Sequence, residues 1–188
     1  MTLMILGLAL WWATHLYPIY LPGRRAAVAR RLGEKLYKGA FSMFSVSAVA
    51  FMVMGYREVG FVEVWSPPGW TVHLNNLLML LAIFLIGAKS AKSSAKHFIR
   101  HPMLAGVIVW AVAHLLVNGD QAATILFGGL LGWAVVAMIG SNRRDGVWVR
   151  PAKGDRAGLV RHGVITVVVF AVIVAIHGPL LGVNPFPH

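Results

Sequence analysis

The chain has no cysteine and very little acid. Its 188 residues hold six Asp and Glu against 17 Lys and Arg, and only 12% of them are charged. The missing cysteine excludes disulfides, thiolate ligation of a haem, cysteine-held iron–sulfur clusters and cysteine nucleophiles. The shortage of charge excludes a soluble domain, which carries about twice that share and could not cover its surface with so few charged groups. With 58% hydrophobic residues and a mean hydropathy of +0.72, the composition is that of an integral membrane protein. There is no phosphate loop, no Ser-His-Asp constellation, and no carboxylate inside an apolar run.

Long apolar runs are what the sequence does have. They cover residues 2–21, 39–56, 73–88, 102–118, 122–140 and 160–182. The longer ones meet the length of about 20 residues that spans a bilayer, and the third and fourth are short and must borrow flanking residues. The first run has no basic residue before it and no small-x-small cleavage site after it, so it reads as a retained helix. The expected fold is all-α: a polytopic transmembrane helix bundle of about six helices, with residues 1–188 as a single domain.

The charges say which way the bundle points. The stretches 22–38, 89–101 and 141–161 hold six, four and six basic residues. The alternate stretches 57–72 and 119–121 hold one basic residue and three acidic ones. Alternation of this kind is the positive-inside pattern, and it places both termini outside and the three basic loops in the cytoplasm. The net charge of +11 is therefore a topology signal, so the lipid bilayer is the expected partner and nucleic acid is not. Lys89, Lys92, Lys96 and Arg100 recur at spacings of three and four, which on a helix gives one basic face suited to an anionic membrane surface. Trp65, Trp70 and Trp148 suit interfacial belts.

Two histidines lie well inside apolar runs, His15 in the first and His114 in the fourth. An ionisable side chain within a membrane helix is costly and suggests a function and a partner, and imidazole holds a metal or a haem iron through one ring nitrogen. The bland alternative is a ring bonded to a backbone carbonyl that helps pack the bundle. The residues alone leave both open. At 1.5 Å per residue, His15 lies roughly 21 Å from the outer end of its helix and His114 roughly 18 Å from the cytoplasmic end of its own, an offset of about 10 Å that a porphyrin standing between them accommodates. The opposite directions of the two helices also suggest a three-plus-three inverted repeat.

Other residues gather around this pair. His101 precedes Pro102, which suits the first helical turn, and with Arg100 it stands at the cytoplasmic mouth of the fourth helix. Asn118, one turn beyond His114, is placed to orient that imidazole. Gly119 reads as an ordinary helix stop. Gly128, Gly129 and Gly132 permit close approach of another helix or of a flat ligand. His97 and His101 are four apart, but they lack an acidic third ligand for zinc. His177 is a spare ligand candidate; His73 and His162 read as interfacial, and His188 as terminal.

Arg100-His101-Pro102, Gly106, Trp110, Ala113-His114-Leu115 and Asn118-Gly119-Asp120 together resemble the NnrU family of bacterial membrane proteins. His15, the arginines that follow the first helix and the chain length fit the same family. The resemblance implies a multi-pass protein of the bacterial inner membrane associated with nitrite and nitric oxide metabolism in denitrification. It also implies a relation to the plant and cyanobacterial 15-cis-zeta-carotene isomerase, a membrane enzyme with haem b. The proposed haem ligands of that enzyme correspond to His15 and His114, and its His-Pro histidine to His101. The cysteine implicated there in ligand exchange corresponds to Ala111, which puts isomerase activity in doubt. The resemblance thus leads to an expected haem b site with His15 and His114 as metal ligands. Position and charge put Arg100 and His101 toward the cofactor's propionates, and a redox role adds a membrane redox partner. The alternatives are a haem-dependent isomerase of a carotenoid-like polyene, and a transporter or assembly factor without haem.

Overall fold

The computed structural model describes residues 1–88, 95–182 and 184–186. Its elements are all helical: α1 (Thr2–Tyr20), α2 (Pro22–Leu32), α3 (Glu34–Arg57), α4 (Thr71–Gly87), α5 (Ala95–Phe98), α6 (Pro102–Val117), α7 (Gln121–Asp145) and α8 (Arg156–Leu181). Four are long and apolar enough to cross a membrane: α1, α3, α7 and the Arg156–Pro179 part of α8. The other two apolar helices, α4 and α6, have 17 and 16 residues. These reach about 26 and 24 Å, just short of a hydrocarbon core about 30 Å thick.

The basic stretch 22–38 is helical rather than a loop. Pro22 stands at the start of α2, where its missing N–H costs nothing. Gly33 ends α2 at φ +84°, a conformation that favours glycine, and α3 begins at once with Glu34. The basic face expected over 89–101 is seen only in part. Lys96 lies in the short α5 and Arg100 follows it, whereas Lys89 and Lys92 lie outside the described residues, as does His188.

The chain forms two compact units. Unit 1 is Met1–Val64 with Asp120–Gly146, and so contains α1, α2, α3 and α7. Unit 2 is Trp65–Gly119 with Val147–His188, and contains α4, α5, α6 and α8. The units interleave the two halves of the sequence rather than following them.

In each unit the helices meet through small residues. The fully buried hydrophobic positions are mostly alanines, among them Ala48, Ala123, Ala134 and Ala137 in unit 1 and Ala82, Ala111 and Ala113 in unit 2. Large apolar side chains such as Val46, Met43, Val164 and Val167 are exposed. Lipid gives no hydrophobic drive between helices, so close backbone packing is what holds them, and bulky side chains turn to the acyl chains. In unit 1, a Cβ at Gly7 would lie 2.7 Å from the Ala48 carbonyl, and one at Gly55 would collide with the Met4 backbone. In unit 2, a Cβ at Gly106 would lie 2.9 Å from the Ala82 carbonyl. These glycines set how near α1 comes to α3, and α6 to α4.

Candidate functional site

His15 sits on α1 in unit 1 and His114 on α6 in unit 2. Each is half-buried and each is held by the residue four earlier. His15 Nδ1 lies 3.0 Å from the Trp11 carbonyl, and His114 Nδ1 lies 2.9 Å from the Trp110 carbonyl. A carbonyl only accepts, so Nδ1 carries the hydrogen and donates it. In the neutral ring that leaves the lone pair on Nε2, the atom a metal takes. The spacing behind this is Trp-x-x-x-His in both helices. For His15 the partner is Trp11, not the nearer Trp12, whose indole N–H donates to the Gly129 carbonyl of α7 at 3.0 Å.

The surroundings of the two rings differ. His15 is enclosed by aromatics: it stacks on Trp11 with centroids 3.8 Å apart, and meets Phe41 and Trp133 edge-on at 5.1 and 5.4 Å. Two buried indole N–H groups beside it, those of Trp11 and Trp133, have no hydrogen-bond partner among the described residues. A buried donor without an acceptor costs about 1–3 kcal/mol, so this corner of unit 1 is short of acceptors. His114 makes a looser contact with Trp110, at 4.9 Å and 50°. His177 of α8 is close enough to interact with it electrostatically.

Taken within its own unit, each imidazole is of the kind that holds a haem iron. Each imidazole offers Nε2 in the required tautomer, and the orphan indole donors of unit 1 suit a group that brings acceptors. No cluster of three or more His, Cys, Asp or Glu that could hold a bare metal ion occurs among the described residues.

Asn118, Gly119 and Asp120 take roles more specific than a helix stop. The Asn118 side-chain amide donates to the His114 backbone carbonyl at 2.8 Å. That contact is to the main chain, so it closes the last turn of α6 rather than holding the imidazole. Gly119 has no positive φ. Its carbonyl accepts the Trp65 N–H at 3.1 Å, and a Cβ there would collide with the Trp65 carbonyl, so close approach, not conformation, demands glycine. Asp120 caps α7, its Oδ1 accepting the Ala123 N–H at 2.9 Å. Two of the three glycines expected to allow close approach do so, Gly129 and Gly132 facing Leu8 and Trp12 of α1, whereas nothing described lies within 4 Å of a Cβ at Gly128.

His101 is the N-cap residue of α6 and is half-buried, with Arg100 beside it. Both stand at the opposite end of α6 from His114, about 20 Å along the axis. His97 Nδ1 lies 2.9 Å from the Pro151 carbonyl. His73 is exposed, as expected of an interfacial residue. His162 departs from expectation: it is buried in unit 2 and stacked on Phe84 of α4 at 4.2 Å, and its ring nitrogens make no well-formed hydrogen bond among the described residues, although the Phe84 backbone lies near enough to interact with the ring. Its position near the start of α8 hid this, because only the third dimension brings α4 over it.

Comparison with known proteins agrees with the motif. The family model described as NnrU protein matches residues 3–185, nearly the whole chain, and the chain belongs to that family. No curated protein matches it, and no solved structure does.

Proposed function

We propose that this NnrU-family membrane protein binds haem b, with His15 and His114 as its ligands, and acts in nitrite and nitric oxide metabolism. Its place on this reading is the bacterial inner membrane, crossed six times with both termini outside and with a membrane redox partner. The observation that carries the cofactor is the repeated Trp-x-x-x-His bond, which presents Nε2 in both helices. The nitrogen-oxide role is supported by the family resemblance. When bound, haem would supply a one-electron iron couple, and a position for a diatomic gas wherever one ligand leaves.

The protein's own residues do the holding. The Trp11 and Trp110 carbonyls fix the ring orientations, and Asn118 secures the helix end that carries His114. Arg100 and His101, at the other end of α6 from His114, would supply positive charge for the cofactor's carboxylates.

A packing role for His15 is the second reading, favoured by its enclosure among Trp11, Phe41 and Trp133. Absorption spectra of detergent-purified protein, oxidised and dithionite-reduced, decide between them. The haem reading expects a Soret band that shifts on reduction and is lost or altered in His15→Ala and in His114→Ala. Protein that stays colourless after expression with added haem would leave the packing reading. Deletion of the gene in a denitrifying host, with nitric oxide accumulation as the readout, tests the physiological part.

A further inference from the structure

We propose that unit 1 binds the phosphate headgroup of an anionic phospholipid, in the open cleft lined by Pro18, Arg25, Tyr37, Lys38, Phe41 and Ser42. This goes beyond the haem reading and does not rest on it. The cleft has a volume of about 400 Å³ and lies where α1 ends, α2 turns away and α3 begins. That is the level at which these helices change from apolar to charged. Its lining is graded in the same sense, with Pro18 and Phe41 apolar, Tyr37 and Ser42 bearing hydroxyls, and Arg25 and Lys38 cationic. An amphiphile with an anionic head matches that order. Phe44, exposed and one turn beyond Phe41 on the same face of α3, continues the apolar path along which an acyl chain lies.

Arg25 is set in place before any ligand arrives. Its two terminal nitrogens donate to Glu34 Oε1 and Oε2 at 2.8 and 3.0 Å, and its guanidinium lies 4.6 Å from the Tyr37 ring centroid. The hydrogen bonds to Glu34, foremost, hold its pKa above the usual value, so the cation is permanent. Glu34 takes two of its five N–H donors and the Tyr37 side chain also interacts with it, so donors remain for an oxyanion. Glu34 offsets part of the cationic charge, bonding Arg25 directly and lying within electrostatic reach of Lys38, so an incoming phosphate meets two cations against one carboxylate. Lys38 makes no ion pair among the described residues. Across residues 22–38 there are six cations and one carboxylate, a density that draws anionic lipid. A choline head fits poorly, because it adds a cation where one face of the Tyr37 ring is already covered by Arg25.

A phosphate can come from a lipid or from solution, and the experiment separates the two. The full-length protein is purified in non-ionic detergent, exposed to mixed phosphatidylglycerol and phosphatidylcholine, and its retained lipid is read by native mass spectrometry. Wild type is expected to keep phosphatidylglycerol over phosphatidylcholine. The R25Q/K38Q variant should lose that retention about tenfold, and R30Q/R31Q, which removes the same charge outside the cleft, should not. K38Q alone leaves the Arg25–Glu34 pair intact and keeps the test decisive if the double variant fails to fold, because a loss of retention is expected there too. Equal losses in R25Q/K38Q and R30Q/R31Q would overturn the site in favour of diffuse attraction. Equal retention of phosphatidylcholine would overturn it, and so would displacement of the lipid by excess inorganic phosphate.

Discussion

The same four-residue device stands in both units, and its settings differ. In α1 it carries His15 into a ring-lined enclosure with two indole donors that have no partner among the described residues. In α6 it carries His114 beside His177, on a helix whose last turn is closed by Asn118. The local bond is identical, so the tautomer is decided within one helical turn. What the ring can do next is decided by other helices. His15 has aromatic walls and a shortage of acceptors; His114 has a second imidazole within electrostatic reach. Spacing along one helix sets the chemistry of the atom, and packing sets its company.

Substituting the two imidazoles tests the comparison hardest. His15→Ala and His114→Ala are each expected to abolish or reshape the haem spectrum. If only one of them does so, the likeness between the devices is local and the other histidine packs. His177→Ala serves as the control within unit 2, and is expected to leave a Soret band in place. A second test acts on the small-residue contacts. Gly55→Leu in unit 1 and Gly106→Leu in unit 2 force helices apart where no Cβ fits, and each should cost at least about 1–3 kcal/mol, read as a lowered thermal unfolding midpoint in detergent. A variant of unchanged midpoint would show that its unit does not depend on that close approach.

Much of this was legible in the sequence. The helical class follows from apolar runs and from the absence of charge within them, and the single residues at helix ends follow from proline, glycine and aspartate chemistry. His15 and His114 stand out because a polar ring in an apolar run is costly. The sequence hid what depends on other helices. Nothing in residues 141–162 marks His162 as buried, because Phe84 comes from α4. Gly119 looked like a stop because its true neighbour, Trp65, is 54 positions away. The helix within 22–38 was masked by its arginines, which signal topology more loudly than α2 signals structure. The Trp11 partnership could have been found from the i−4 spacing, since Trp110 and His114 repeat it.

The smaller effects sharpen the contrast between satisfied and unsatisfied polar groups. Trp133→Phe removes an orphan indole donor beside His15. Without cofactor it should leave stability equal or raise it by about 1 kcal/mol; with haem bound it should shift the Soret band. A loss of stability without cofactor would mean that the donor has an acceptor after all. His162→Leu replaces a buried ring that makes no well-formed hydrogen bond among the described residues, and should stabilise unit 2 by about 1 kcal/mol or less. A destabilised variant would indicate that the imidazole has a polar partner.

The proposed haem ligation is tested most directly by chemical rescue at His15 and His114. His15→Gly and His114→Gly are prepared with and without free imidazole, and haem content and the oxidised and reduced spectra are measured. The account predicts that each variant loses the wild-type spectrum and that imidazole restores it in both, because each ring is needed for its Nε2. Wild-type haem content and spectrum in either variant without imidazole would contradict it.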